Sequence, residues 1–536
     1  MRYIYKLFMI ALALTLGACT DLNVKPEGSF GAAELFTNPE AYEQYLAKLY
    51  GSFSLTGQDG PHGNGDIGIV NDEGFTSYIR AYWKAQEITT DEAVLSWTDA
   101  GIREMHEHTW TSENQFVRVL YYRIFMIIAY SNDFLMQSTP EKLSDNGISQ
   151  DWKDKIEIYR AEARFLRALA YWHALDLFRN IPLLTTITAD LPTQVAPEVI
   201  FNFIVSELEE IEPIMVDPKL NEYGRADKAA LWMLQAKLFL NAEVYIGQSK
   251  FTECITACNK VIGAGYALNN EYATLFMADN HTSNEIIFAL NSDGKNTQSW
   301  GSTTFLVHAA IGGAMSDDID VNGLPYPDEE LNEYGVNGGW VGLRTTRTMV
   351  EKFGIDPSNP DDPRAIFFTE GQSIDIADIG EFTDGIAVPK YVNITSTGVL
   401  GSDGTHCDTD YPLFRLGDAY LMYAEAVLRG GAGGDATTAL SYVNALRERA
   451  NGDTSGNIIQ SDLNLPFLLD ERVRELYWEG TRRVDLVRYG EFTDQGIWPW
   501  KGAVAEGITT ESYRDIFPIP ASDLIANPFM KQNTGY

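Results

Sequence analysis

Cysteine is scarce in this chain: four in 536 residues, at positions 19, 254, 258 and 407. So few cannot form a disulfide framework. Basic charge is also short, with 40 Lys and Arg against 75 Asp and Glu and a net charge of −35. That excludes nucleic acid as a partner and adsorption on anionic lipid. Histidine numbers only 7, and no His-Glu-x-x-His zinc motif occurs. A phosphate-binding Gly-x-x-x-x-Gly-Lys-Ser/Thr loop and a nucleophile-elbow motif are missing too. Long apolar runs are absent. The one clear run, Leu7 to Leu16, spans about 10 residues, and a membrane helix needs about 20.

That short run has its own meaning. Arg2 and Lys6 precede it, and Leu16-Gly17-Ala18-Cys19 ends it. A basic start, an apolar stretch and a small-residue processing site make an export signal. The Leu-Gly-Ala-Cys spacing resembles the lipobox of bacterial lipoproteins, which makes Cys19 the expected lipidated first residue of the mature chain. The alternative is an ordinary secretion signal with an incidental cysteine. Residues 20–30 are polar, with Pro26 and Gly28, and read as a tether.

The remainder is built to fold. Hydrophobic residues make up 45% and charged residues 21%, enough for one large lobe or up to about three domains. Aromatics are plentiful, with 11 Trp, 27 Tyr and 26 Phe. Many must be core; exposed ones would suit sugars, because a flat ring packs on the apolar face of a pyranose.

Apolar spacing near 3.6 residues predicts helices over about 38–50, from 112, 152–178, 197–215, 228–245 and 249–263. Asn38-Pro39-Glu40 is a helix start. Ala161, Ala163, Ala168 and Ala170, then Ala229, Ala230 and Ala236, put small residues where paired helices would cross. The pattern suggests degenerate tetratricopeptide-like hairpins. The period fades over 268–409, where Gly, Asn, Asp and aromatics dominate and Glu285 to Leu290 is strand-like. Long irregular stretches in compact proteins are usually functional. Helices return over 413–428, 436–450 and 470–489. The expected fold is therefore mostly α: a tetratricopeptide-like helical-hairpin scaffold with a large loop-rich insertion. The expected division is 1–18 signal, 19–30 tether, 31–267 helical with contact loops near 51–111, 268–409 loop-rich and ligand-binding, and 410–536 helical.

Four stretches carry a family resemblance: Arg160 to Ala170, Arg415 to Ala426, Asp470 to Gly490, and Ile516-Phe-Pro-Ile-Pro520 through Tyr536. In this order, and with the lipobox, they resemble the SusD/RagB family over essentially the whole chain. The resemblance implies an outer-membrane, surface-exposed lipoprotein that binds oligosaccharides and caps a SusC-like TonB-dependent transporter. It implies binding of an oligosaccharide, α-glucan leading, rather than catalysis, and requires no cofactor; another glycan or peptides in the same role, or a lipid-anchored glycoside hydrolase, are the alternatives. From the residues themselves, Arg472, Arg474, Glu475, Glu479, Arg482, Arg483 and Asp485 read as structural ion pairs and caps, a catalytic carboxylate pair being the alternative.

The resemblance also indicates a site. Asp72, Arg80 and Trp97 match positions at which the family's starch-binding member contacts α-glucan, and Trp300 and Trp340 match its further aromatic platforms. Thr98-Asp99-Ala100 departs from it where an Asn is used. Indole faces would give apolar contact, while Asp72 and Arg80 would bond vicinal hydroxyls. Trp97 as a core residue and Asp72–Arg80 as a plain ion pair are the alternatives. Tyr326, between two prolines, is a further candidate. Asp279, Glu285 and Asp293 are candidates for a structural calcium. His106-Glu107-His108 and the Cys254/Cys258 pair are the nearest metal-like groupings; the cysteines read better as buried small side chains.

Overall fold

The computed structural model describes residues 32–57, 61, 65–70, 72–316 and 333–536. Cys19, the tether and Tyr326 lie outside the described residues.

Helices dominate, and each has a local cause. The principal ones are α1 (Glu40–Gly51), α2 (Tyr78–Trp83), α3 (Gln115–Gln137), α4 (Gln150–Phe178), α5 (Pro197–Ile211) and α6 (Lys228–Leu240). Then come α7 (Phe251–Ile262), α8 (Ser302–Ala309), α9 (Leu416–Leu428), α10 (Ala436–Asn451), α11 (Leu465–Leu476) and α12 (Arg482–Tyr489). Asn114 starts α3 by accepting from the Phe116 and Val117 amides at 3.0 and 3.2 Å. Asp227 caps α6 in the same way, at 2.8 and 3.1 Å from Ala229 and Ala230.

Successive helices pack as neighbours: α1 on α3 and α4, α3 on α4, α4 on α5, α6 on α7, α7 on α9, and α9 on α10 and α11. The alanines are where they must be for this. Ala161, Ala163, Ala168, Ala170, Ala229, Ala230 and Ala236 are all buried, so helix axes approach closely. Cys254 and Cys258 face the same core from α7, and burial pushes the Cys254 thiol up from its usual range. One apolar core runs through all three parts of the chain, from Phe36 to Met530.

Strands are few. β1 (Val94–Leu95) pairs antiparallel with β3 (Leu343–Arg344), and β2 (Ile286–Leu290) with β4 (Tyr411–Arg415). The strand-like run after Glu285 is therefore a strand.

Three helix expectations need correction. The helix of 470–489 is two, α11 and α12, separated at Tyr477–Thr481. Trp478 and Gly480 there take positive φ values of 62° and 71°. The apolar period continues across the break because both helices bury the same side. Tertiary hydrogen bonds hold the break open: Trp478 donates its amide to Glu92 Oε2 at 3.0 Å and its indole to Glu92 O at 3.1 Å. The helix of 228–245 breaks at Asn241, whose side chain donates to the Lys237 carbonyl and ends α6. The stretch before Leu416 is β4, drawn into strand geometry by β2.

The charged C-terminal motif is a buried ion-pair lattice. Arg415 binds Glu285, Glu475 and Glu479 at 2.8, 2.6 and 2.6 Å. Arg364 binds Glu471 and Glu475, and Arg472 binds Asp418 and Asp485. Arg482 grips Asp91 with two bonds of 2.7 Å. Every one of these carboxylates is buried and multiply bonded, the condition under which burying charge is tolerable.

Candidate functional site

The site grows from a short turn. Asp72 caps the 3₁₀ turn Glu73–Thr76 by accepting from the Gly74 amide at 2.8 Å, and α2 follows at once. This places Arg80, on α2, beneath Gly74. A Cβ built on Gly74 would lie 2.7 Å from Arg80 Nη1 and 3.0 Å from Trp300 Cβ, so any larger residue would have to displace the guanidinium.

Arg80 is almost completely buried, at 4% exposure. Its Nη1 donates to the Trp300 carbonyl at 2.8 Å, and its Nε donates to no protein atom. The guanidinium carbon sits 4.6 Å from the Phe305 ring, 5.1 Å from Phe75, 5.4 Å from Trp97 and 6.0 Å from Trp340. Such a cage suits a planar cation. Burial lowers its pKa to about 10, against the pull of Asp72 and Asp99, so it stays charged at neutral pH. Asp72 and Arg80 do not form an ion pair with each other; Asp72 stays exposed at the rim.

Three tryptophans surround this centre, each half-buried. Pairing of β1 with β3 sets Trp97 beside Trp340: Ser96 donates its amide to Gly342 O at 3.0 Å, and Trp97 Nε1 donates to Trp340 O at 2.9 Å. Trp300 Nε1 donates to Pro61 O at 2.9 Å. Ring centroids of Trp97 and Trp340 are 6.3 Å apart, and those of Trp340 and Trp300 are 6.1 Å apart. His308 stacks on Trp340 at 4.7 Å and 15°, and His406 packs on Trp300 at 4.6 Å. With their N–H groups committed to backbone carbonyls, Trp97 and Trp300 offer a ligand their faces, and the rings are held before any ligand arrives.

Asp72, Arg80, Trp97, Trp300 and Trp340 thus line one cleft of about 420 Å³, together with Phe75 and Asp99. These five residues, spread over 269 positions, meet as expected from the resemblance. Trp97 is half-buried: it lines the cleft and also packs against the hydrophobic core. Asp99, in the Thr98-Asp99-Ala100 stretch that departs from the family pattern, also lines the cleft. Phe75 lines the cleft, and Phe305, His308 and His406 pack behind it; from the sequence His406 reads only as part of the polar loop His406-Cys407-Asp408, and nothing local marks Phe305 or His308.

The other groupings separate. Asp279 accepts from the Ser396 amide and hydroxyl, Glu285 is buried against Arg415 and Arg449, and Asp293 caps its own turn. The three calcium candidates do not converge, and among the described residues no group of three or more His, Cys, Asp or Glu side chains is placed to hold a metal. Each ring nitrogen of His106 faces a backbone carbonyl, Ile88 O and Pro499 O, and His108 reaches Thr89 O and Thr510 Oγ1. These are core histidines, their pKa values lowered by burial.

The chain belongs to the SusD/RagB family. The family model described as "SusD family" matches residues 368–536. The starch-binding protein SusD of Bacteroides thetaiotaomicron is 34% identical, over 100% of this chain and 99% of that protein. A SusD-like protein of Bacteroides ovatus is 24% identical over 98% of this chain and 97% of its own length. Among solved structures, the surface glycan-binding protein A of B. thetaiotaomicron in complex with laminarihexaose shares the fold at a TM-score of 0.67 and 18% identity, covering 92% of this chain and 99% of that one. A SusD superfamily protein of the same organism aligns at a TM-score of 0.69, again with 18% identity and covering 92% of this chain and 99% of that chain.

Proposed function

We propose that this protein is a non-catalytic glycan receptor, and that the tryptophan cleft is where it holds its ligand. The observation that carries this reading is the rigid arc Trp97–Trp340–Trp300 around a buried, caged Arg80. Indole faces at successive angles follow a curved saccharide chain, each covering one apolar sugar face. Asp72 and Asp99 accept from hydroxyls, and Arg80 donates to them; charge-assisted bonds of this kind are the stronger ones. A curved arc favours an α-glucan of the starch type, and the 34% identity to a starch-binding protein supports the same choice. Two relatives carry binding names, a starch-binding protein and a surface glycan-binding protein, which supports binding over hydrolysis. In the same reading, Cys19 carries the lipid anchor, the outer membrane is the location, and a SusC-like TonB-dependent transporter receives the sugar. Among the described residues no helix is long and apolar enough to cross a membrane.

The test is affinity electrophoresis against amylose, laminarin and an acidic polysaccharide. Wild type is expected to be retarded by amylose and to release no reducing ends. Trp97→Ala and Trp300→Ala are expected to lose most of that retardation. Unchanged retardation of both variants would reject the cleft, and reducing-end release would reject a pure receptor.

A further inference from the structure

The loop 291–300 has two flanks. Trp300, at its end, walls the tryptophan cleft. Its earlier residues wall a second cleft of about 510 Å³, closed from the other side by Tyr223, His281, Asp408 and Asp410. Ligand pockets run from roughly 300 to 1,000 Å³, so the space suits a few sugar rings.

Tyr223 is the unusual residue here. It is 44% exposed, and Phe529 is the other aromatic side chain among the described residues that exposes so much. The ring is nonetheless fixed. Its hydroxyl donates to Asp410 Oδ2 at 2.7 Å; that carboxylate is 4% exposed and in turn accepts from the Ser292 amide at 2.7 Å. His281 meets the ring edge-on, 6.1 Å away at 68°. An aromatic face held in place by a buried carboxylate gives up little freedom on binding.

The acids of this cleft are occupied. Asp293 accepts from the Lys295 and Asn296 amides at 2.8 Å, and Asp408 from the Gly294 and Ser402 amides at 2.7 and 2.6 Å. They shape the loops. The Asn291 carboxamide and the Lys295 ammonium are different: both are exposed and hydrogen-bond to none of the described side chains or carbonyls. A fixed ring beside an unused amide and an unused ammonium is a donor set for a neutral, hydroxyl-rich ligand.

We propose that this second cleft is a separate saccharide-binding surface, with Tyr223 as stacking platform and Asn291 and Lys295 as hydroxyl partners. Thr297, in this cleft, and Trp300, in the other, are three positions apart. Along an extended chain that is at most about 11 Å. A polysaccharide can therefore engage both clefts across the loop, and its second contact is intramolecular, which raises avidity without raising the affinity of short fragments. The inference borrows from the receptor reading only the assumption that the ligand is a neutral glycan.

The experiment uses the full-length protein, maltoheptaose in calorimetry, and amylopectin and laminarin in affinity gels. Tyr223→Ala and the double variant Asn291→Ala/Lys295→Ala are expected to bind maltoheptaose as wild type does but to lose about ten-fold in polysaccharide affinity. Trp300→Ala is expected to keep a weak retardation that added Tyr223→Ala abolishes. Tyr223→Phe, which keeps the ring, should retain most binding, and thermal melting checks that each variant folds. If Trp300→Ala loses retardation while both second-cleft variants migrate as wild type, the receptor reading stands and this inference falls. If only the second-cleft variants lose retardation, the inference stands and the tryptophan cleft falls. No retardation of wild type by either polysaccharide overturns both.

Discussion

Replacing Glu425 by Gln should destabilise the protein by about 3 kcal/mol at neutral pH and by almost nothing at pH 2. Glu425 is fully buried on α9. Its Oε1 accepts from Arg488 Nε at 2.6 Å and Arg429 Nε at 2.8 Å, and its Oε2 accepts from Arg488 Nη2 at 2.7 Å. Burial alone would raise its pKa. Arg488, then Arg429 and Arg472, overcome that and lower it from 4.5 to about 2. A carboxylate with a lower pKa folded than unfolded stabilises the protein above the unfolded value. That stabilisation drains away as pH falls from about 5 to 2. The drop from 4.5 to about 2, at about 1.4 kcal/mol per unit, sets the magnitude. Gln keeps the shape and one acceptor but not the charge. The assay is denaturant unfolding of wild type and Glu425→Gln from pH 7 to pH 2. The two curves should converge on acidification. Parallel curves, or equal stability at pH 7, would refute the reasoning. Pairing the change with Arg488→Met should recover part of the loss, because the unpaired guanidinium is then removed too.

Two further outcomes follow from the site. Gly74→Ala should cut glycan affinity at least ten-fold in equilibrium titration while α2 remains folded by circular dichroism, since the new methyl meets Arg80 Nη1 at 2.7 Å and must displace it; unchanged affinity would show that Arg80 does not need its present position. Lys84→Met should raise the unfolding midpoint at pH 7. The Lys84 ammonium is fully buried beside the Phe116 ring with no hydrogen-bond acceptor, and burial, then Arg80, holds its pKa well below 10.5. The folded state therefore resists a proton that the unfolded chain accepts below pH 10.5, and that deficit disappears with the amine; a lowered midpoint in pH 7 denaturation would contradict it.

The helices were legible because their causes are local. Caps such as Asn114 and Asp227, and a 3.6 period, act within one turn. The break at Tyr477–Thr481 was not, because Glu92, nearly 400 residues away, makes it. The motif acids and arginines were legible as ion pairs but not as a lattice, since pairing partners such as Glu285 and Asp91 come from distant stretches. At the site, five cleft residues were named through resemblance to a family. Asp99 went unassigned because a carboxylate in a loop has no local signature until its neighbours are known.

By itself the sequence determined where most of the long helices lie, that the chain is acidic, and the family to which it belongs. These follow from short-range periodicity, net charge and motif order. Only the tertiary structure decided that three tryptophans line one cleft with a caged arginine. It alone placed Tyr223 in a second cleft across the same loop. Both depend on long-range pairings, β1 with β3 and Tyr223 with Asp410, whose free energy comes from excluding water between stretches that sequence order keeps apart.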